Sequence, residues 1–133
     1  MLLTRDECKT LADKVTRLAK AGEVEVRISS TQNANTRYAN NTVTTAGFTS
    51  GVEVDIEVTQ EKRTGSVSVS DLSDDALAQA VRQAEAIAAL APPDPEYVEP
   101  LGPQTYPDIK GFYDETAKAR TADIVPAVKS VVA

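Results

Sequence analysis

The chain has 133 residues, of which 41% are hydrophobic and 26% charged, as expected for one soluble globular domain. Its formal net charge of −6 argues against direct binding to nucleic acid, because a phosphate backbone attracts clustered lysines and arginines. The chain has no histidine and one cysteine, which excludes a histidine-based catalytic triad, a paired-cysteine metal site and an internal disulfide. The first residues contain no long apolar segment, so we expect no membrane span and a cytoplasmic location.

A helix is predicted over residues 4–21. Thr4 and Glu7 have the spacing of a capping box, in which each side chain accepts a hydrogen bond from the other residue's backbone N–H. Gly22 is suited to end this helix in a left-handed conformation. Between them, apolar residues recur at helical spacing: Cys8, Leu11, Ala12, Val15, Leu18 and Ala19.

From Glu23 the apolar period changes to two, which predicts strands with one face exposed to water. Asn33-Ala34-Asn35 is typical of a turn, and Asn40-Asn41 marks a second one. Short links between consecutive strands indicate an antiparallel arrangement. The prediction is a sheet of about four strands, at roughly 23–31, 34–40, 42–59 and 63–70.

A second helix is predicted over residues 73–91, with Ser73 as its N-cap and a proline pair ending it. We expect both helices to pack on one face of the sheet, which gives an α+β domain over residues 1–91. The proline-rich residues 92–120 are predicted to form an extended arm over the surface. A last helix is predicted near 121–133, capped by Thr121 or Asp123 and with Pro126 in its first turn. Because no capping signal follows this helix, we expect it to lead into a further region.

The polar group around the second turn is the candidate interaction site. Asparagine, arginine and tyrosine side chains supply hydrogen-bond donors and acceptors suited to a peptide backbone or a partner surface. The same asparagines also suit turn backbones, so a purely structural role stays open. The group contains Asn33 and Asn35, and its proposed peptide or partner contacts are Arg37, Tyr38, Asn40 and Asn41.

A row of acidic residues, Glu53, Asp55 and Glu57, alternates with apolar residues. Carboxylates two residues apart on a strand share a face and in principle suit a divalent cation. The same pattern is typical of the solvated face of a sheet, which is the interpretation we favour.

Three sequence blocks resemble a known family when taken in order. They are TRYANN at 36–41, RTGSVSVSDLS at 63–73 leading into the alanine-rich helix, and PPDPE at 92–96. Together they resemble the N-terminal domain of the TldD/PmbA family, long labelled modulators of DNA gyrase and understood as zinc metallopeptidases. The resemblance covers most of residues 1–96.

The resemblance implies a helix-covered antiparallel sheet in a protein that pairs with a paralogue or with itself and cleaves peptides in the cytoplasm. Active members of the family carry an HExxxH zinc motif C-terminal to this domain. That motif is absent from this sequence. The resemblance therefore implies no catalytic or metal-binding residue in this chain, and zinc is expected only in a further C-terminal region.

Two other functions stay open on the sequence alone. An acidic domain suits a basic surface made for DNA, so the alternative is a binding module that modulates a partner such as DNA gyrase without proteolysis. An independent α+β scaffold that ends at Ala133 is the third possibility.

Overall fold

A computed structural model describes residues 2–20, 22–40 and 42–132, with the side chains of all but the last two of these. They divide into two compact units, the described parts of Met1–Thr31 with Ser50–Glu99 and of Gln32–Thr49 with Pro100–Ala133. The elements in chain order are α1 (Arg5–Leu18), β1 (Glu23–Ala39), β2 (Thr42–Gln60), β3 (Arg63–Val69), α2 (Asp74–Leu90), α3 (Asp114–Lys118) and α4 (Thr121–Val132).

The described strands form one sheet in the order β1-β2-β3. β2 and β3 are antiparallel, in a register that places Val54 opposite Val69 and Gln60 opposite Arg63. β1 and β2 have 17 and 19 residues, whereas β3 has seven. Residues 42–53 of β2 therefore continue beyond the part of β2 that pairs with β3.

The core of the first unit lies between one face of the sheet and the helices α1 and α2. Ile56 on β2, Val15 on α1 and Leu77 on α2 are fully buried and belong to one cluster. Val24, Val26, Ile28, Val67 and Val69 pack against this cluster from the neighbouring strands. The predicted α+β class and the antiparallel sheet are thus present, and both helices contribute to the same apolar layer.

Both helices begin at the caps that the sequence predicts. The Thr4 N–H donates to the Glu7 carboxylate over 2.7 Å, and the Glu7 N–H donates to the Thr4 hydroxyl over 3.3 Å. The Ser73 hydroxyl accepts a hydrogen bond from the Ala76 N–H in the first turn of α2. These contacts satisfy backbone donors that have no partner within the helix.

The sheet has three strands within the described residues, not four. Residues 33–35 lie inside β1 rather than in a turn, and the hairpin turn is at Asn40 instead. Asn35 lies beside Gly47 of β2: a Cβ atom added to Gly47 would be 3.3 Å from the Asn35 side-chain oxygen. Contact with a neighbouring strand therefore overrides the turn preference of the asparagines.

The segment after α2 also departs in part from prediction. α3 forms within the arm predicted over 92–120, and α4 begins at Thr121, in agreement with the predicted last helix. The Asp123 carboxylate accepts from the Arg120 N–H at 2.9 Å, so Asp123 lies in the first turn and is not the cap. Pro126 lies inside the helix, beyond the first turn. None of the described helices is long and apolar enough to cross a membrane.

Candidate interaction site

Three of the four predicted contact residues, Arg37, Tyr38 and Asn40, lie at the turn end of the β1–β2 hairpin, in the second unit. Arg37 and Tyr38 are on the last residues of β1, and Asn40 occupies the turn with a φ of 50°. Asparagine adopts this left-handed conformation more readily than most residues do. Asn41 lies outside the described residues, so its prediction has no structural counterpart here.

Two threonine hydroxyls of β2 hold the backbone at this end of the hairpin. The Thr44 hydroxyl donates to the Arg37 carbonyl at 3.2 Å, and the Thr42 hydroxyl donates to the Asn40 carbonyl at 3.4 Å. Backbone atoms of the predicted residues are thus used within the hairpin. The Arg37 side chain is exposed and has no hydrogen-bond partner among the described residues.

The structure does not gather the predicted residues into one cluster. Successive side chains of a strand point to opposite faces, so Arg37 and Tyr38 are presented on different sides of the hairpin. Sequence reasoning missed two exposed apolar side chains of β2 in the same unit, Val43 at 42% and Phe48 at 66% exposure. Their spacing of five residues fits neither strand nor helix period, so no periodic signal marks them.

A concave site, separate from the hairpin turn, lies at the end of the sheet within the first unit. The Tyr97 hydroxyl donates a hydrogen bond to the Glu23 carboxylate. That bond, followed by desolvation and by the nearby charges of Glu23 and Glu99, raises the pKa of Tyr97 to about 12. The cavity beside it has a volume of about 500 Å³ and is lined by Gly22, Glu23, Thr59, Gln60, Glu61, Lys62, Tyr97 and Glu99.

The face of the sheet opposite the core carries the predicted acidic row. A shallow cavity of about 250 Å³ on this face is lined by polar side chains that include Glu25, Arg27, Asp55 and Glu57. The Ser68 hydroxyl donates to the Asp55 carboxylate. No group of three histidine, cysteine, aspartate or glutamate side chains suited to hold a metal ion occurs among the described residues.

The residues present do not fit a zinc centre. The chain has no histidine, and its single cysteine, Cys8, is a free thiol on α1. Zinc sites in proteins use four ligands, or three ligands and a water, drawn mainly from cysteine and histidine.

Comparison with known proteins relates this chain to a protein family and to a solved structure. Residues 24–88, which include most of α2 and all of the sheet but Glu23, match the family described as PmbA/TldA metallopeptidase domain 1. This segment belongs to the PmbA/TldD family. A comparison with curated protein sequences gave no match.

The fold of the PmbA/TldD segment is shared with a solved structure, that of TldE from Thermococcus kodakarensis. The two superpose with a TM-score of 0.74 at 22% sequence identity over 92% of this chain. The likeness therefore extends beyond residues 24–88 into the segments on either side. The matched part is 27% of the TldE chain, so this chain spans about a quarter of that protein.

Proposed function

We propose that this chain is the non-catalytic N-terminal domain of a TldD/PmbA-like zinc metallopeptidase, where it contributes to the substrate cleft and to a subunit interface. Two observations support this assignment. Residues 24–88 match the family, and the chain has no histidine and only one cysteine as zinc ligands. The zinc would be held by another region of the parent protein. The partners of this chain would be a paralogous or identical subunit and a peptide substrate. The protein would act in the cytoplasm.

The observation that carries the peptide-binding role is the free edge of β1. β1 is the outermost strand, and among the described residues no other strand or backbone hydrogen bond joins its outer side. An exposed edge presents unpaired N–H and C=O groups to which an extended peptide adds as a further strand. Such backbone pairing suits a protein that accepts many peptide sequences, since it needs no specific side chain in the substrate.

Within this role, residues 32–39 of β1 are the segment that we assign to the peptide. They belong to the second unit and carry Arg37 and Tyr38, which is 42% exposed. An exposed arginine can pair with a peptide carboxylate, and an exposed tyrosine contributes contact area at low entropic cost. Asn40 and, by the sequence prediction, Asn41 would contact the peptide at the turn.

The experiment is a titration of the isotopically labelled chain with an unstructured peptide, followed by amide NMR shifts. We expect shifts in the outward-facing amides of residues 32–39 and weaker binding by Arg37→Ala. Arg82→Ala is the matched control, because Arg82 is also an exposed arginine and lies on α2. Shifts confined to other segments, or equal binding by both variants, would overturn the assignment of this edge to the peptide.

A second candidate function is a binding module that modulates a partner such as DNA gyrase without proteolysis. The net charge of −6 favours it, because an acidic surface complements a basic one made for DNA. A pull-down with purified gyrase at low and high salt tests this function. Binding that weakens as the salt concentration rises would support this second function, whereas absence of binding at low salt would contradict it.

A further inference from the structure

The first half of β1 differs from the second in having a regular two-faced pattern. Val24, Val26 and Ile28 are half-buried on the core face of the sheet. Glu25 and Arg27 alternate with them and are exposed on the opposite face. The outer edge of this segment has no strand partner among the described residues, and it lies within the first unit.

Arg27 stands among an excess of carboxylates on this face. It donates a hydrogen bond to Glu25 over 3.1 Å, in a pair whose side chains are 71% and 64% exposed. Asp55 and Glu57 line the same shallow cavity. No other lysine or arginine lines this cavity within the described residues. Arg27 is therefore the one cation beside three carboxylates, those of Glu25, Asp55 and Glu57.

We infer that residues 23–29 of β1 pair antiparallel with the same residues of a second copy of this chain. The register is centred on Val26, which faces Val26 of the second copy. Glu25 of each copy then lies opposite Arg27 of the other, and Val24 lies opposite Ile28. Opposite charges that face each other across an antiparallel pair stabilise it, and the apolar pairs extend one face of the sheet.

The charge pattern selects this register over its neighbours. Moving it by two residues in one direction puts Glu25 opposite Glu25, and in the other direction Arg27 opposite Arg27. Both place like charges directly across the strand pair, which is destabilising. A shift of one residue puts core-face side chains opposite charged ones, which the two-faced pattern disfavours. The centred register alone satisfies both faces.

The resulting contact is isologous, because the same surface is used by both copies and the pairing closes at two chains. It joins the two three-stranded sheets into one of six strands and removes the free edge of residues 23–29. This inference deepens the proposed subunit interface by naming its strand and register. It leaves the peptide-binding role of residues 32–39 untouched, so the two fail separately.

Charge reversal tests the inference on the chain itself. In Glu25→Arg alone or Arg27→Glu alone, every cross-strand pair at these positions becomes repulsive, and we expect the dissociation constant of the dimer to rise at least about tenfold. Mixing E25R with R27E restores opposite charges at both pairs, so dimers should reappear in the mixture. Sedimentation at several concentrations measures all three samples, with circular dichroism to confirm folding.

The matched controls are Glu115→Arg and Arg82→Glu, which reverse the same charges at exposed helix positions. We expect them to dimerise like the parent, alone or mixed. A monomeric parent at high concentration, or equal dimerisation by E25R, R27E and the controls, overturns the inference.

A cysteine experiment decides the register and still applies if a charge variant fails to fold. In a Cys8→Ser background, Glu25→Cys and Arg27→Cys should form a disulfide-linked dimer when mixed, because these positions face each other. Each variant alone should cross-link much less, since its two copies are offset by two residues along the strands. Equal cross-linking in the separate and mixed samples contradicts the register.

Discussion

Gly65 on β3 lies directly against the backbone of α2 at Ala84. A Cβ atom added at Gly65 would collide with the Ala84 carbonyl and would lie 2.5 Å from the Ala88 nitrogen and 2.9 Å from the Ile87 Cβ. Gly65 is buried, and Ala84 and Ala88 are fully buried opposite it. The small residues on both sides therefore set how closely α2 approaches the sheet.

Gly65→Ala should destabilise the first unit, because the added methyl group has no room and α2 must move. We expect a loss of about 1–3 kcal/mol in the free energy of unfolding, the usual cost of overpacking. Urea denaturation followed by circular dichroism measures it. Gly51→Ala is the control, since a Cβ atom there meets no atom within 4 Å; comparable losses in the two variants would contradict this account.

Ile56→Ala should destabilise the domain by about 2–5 kcal/mol, because Ile56 is fully buried between the sheet and the helices and its removal leaves a cavity. Ile109→Ala removes the same atoms from a side chain that is 76% exposed. That change should stay within about 0.5 kcal/mol of the parent. Thermal unfolding of the three proteins at one pH is the measurement, and an equal loss in both variants would contradict the position of the core.

The capping box of α1 should make stability depend on pH. Hydrogen bonds from Thr4 lower the pKa of Glu7 below its ordinary value of 4.5. Because the folded-state pKa is the lower one, the stabilisation is fully present above pH 4.5 and is lost as pH falls through the folded-state pKa. Melting temperatures of the parent and of Glu7→Gln should differ above this range and converge below it. A constant difference at all pH values would argue against the capping role.

Tyr97 should ionise only in strongly alkaline solution, with a pKa of about 12 set mainly by its hydrogen bond to Glu23. Because this pKa is above its ordinary value of 10.0, the stabilisation is present below pH 10.0 and is lost as pH rises through about 12. Subtracting the phenolate absorbance of Tyr97→Phe from that of the parent isolates this titration. Glu23→Gln should move it towards 10.0, and an unchanged midpoint would show that Glu23 is not the cause.

Local signals in the sequence were sufficient for much of the fold. The caps at Thr4 and Ser73 and the alternation of Val54, Ile56 and Val58 with acids each depend on residues close in the chain, and all three are found in the structure. The unbroken β1 was not predictable from Asn33 and Asn35, because cross-strand pairing with β2 decides it.

The sites depend more strongly on distant contacts. Arg37, Tyr38 and Asn40 lie at a hairpin end, and the division of Arg37 and Tyr38 between two faces follows from the strand that continues through Asn35. The cavity beside Tyr97 could not be found from sequence, because it forms only when a segment 74 residues away returns to Glu23.

The segment that follows α2 is tied back to the sheet at several points. The Arg63 guanidinium donates to the Ala91 carbonyl at 3.1 Å, and the Asp94 N–H donates to the Lys62 carbonyl at 2.7 Å. A protease that cuts after Ala91 would remove the second contact and the bond from Tyr97 to Glu23. The shortest fragment that keeps the first unit intact therefore extends past the proline pair to at least Tyr97, and a limited digest should leave a stable C-terminus at or beyond that residue.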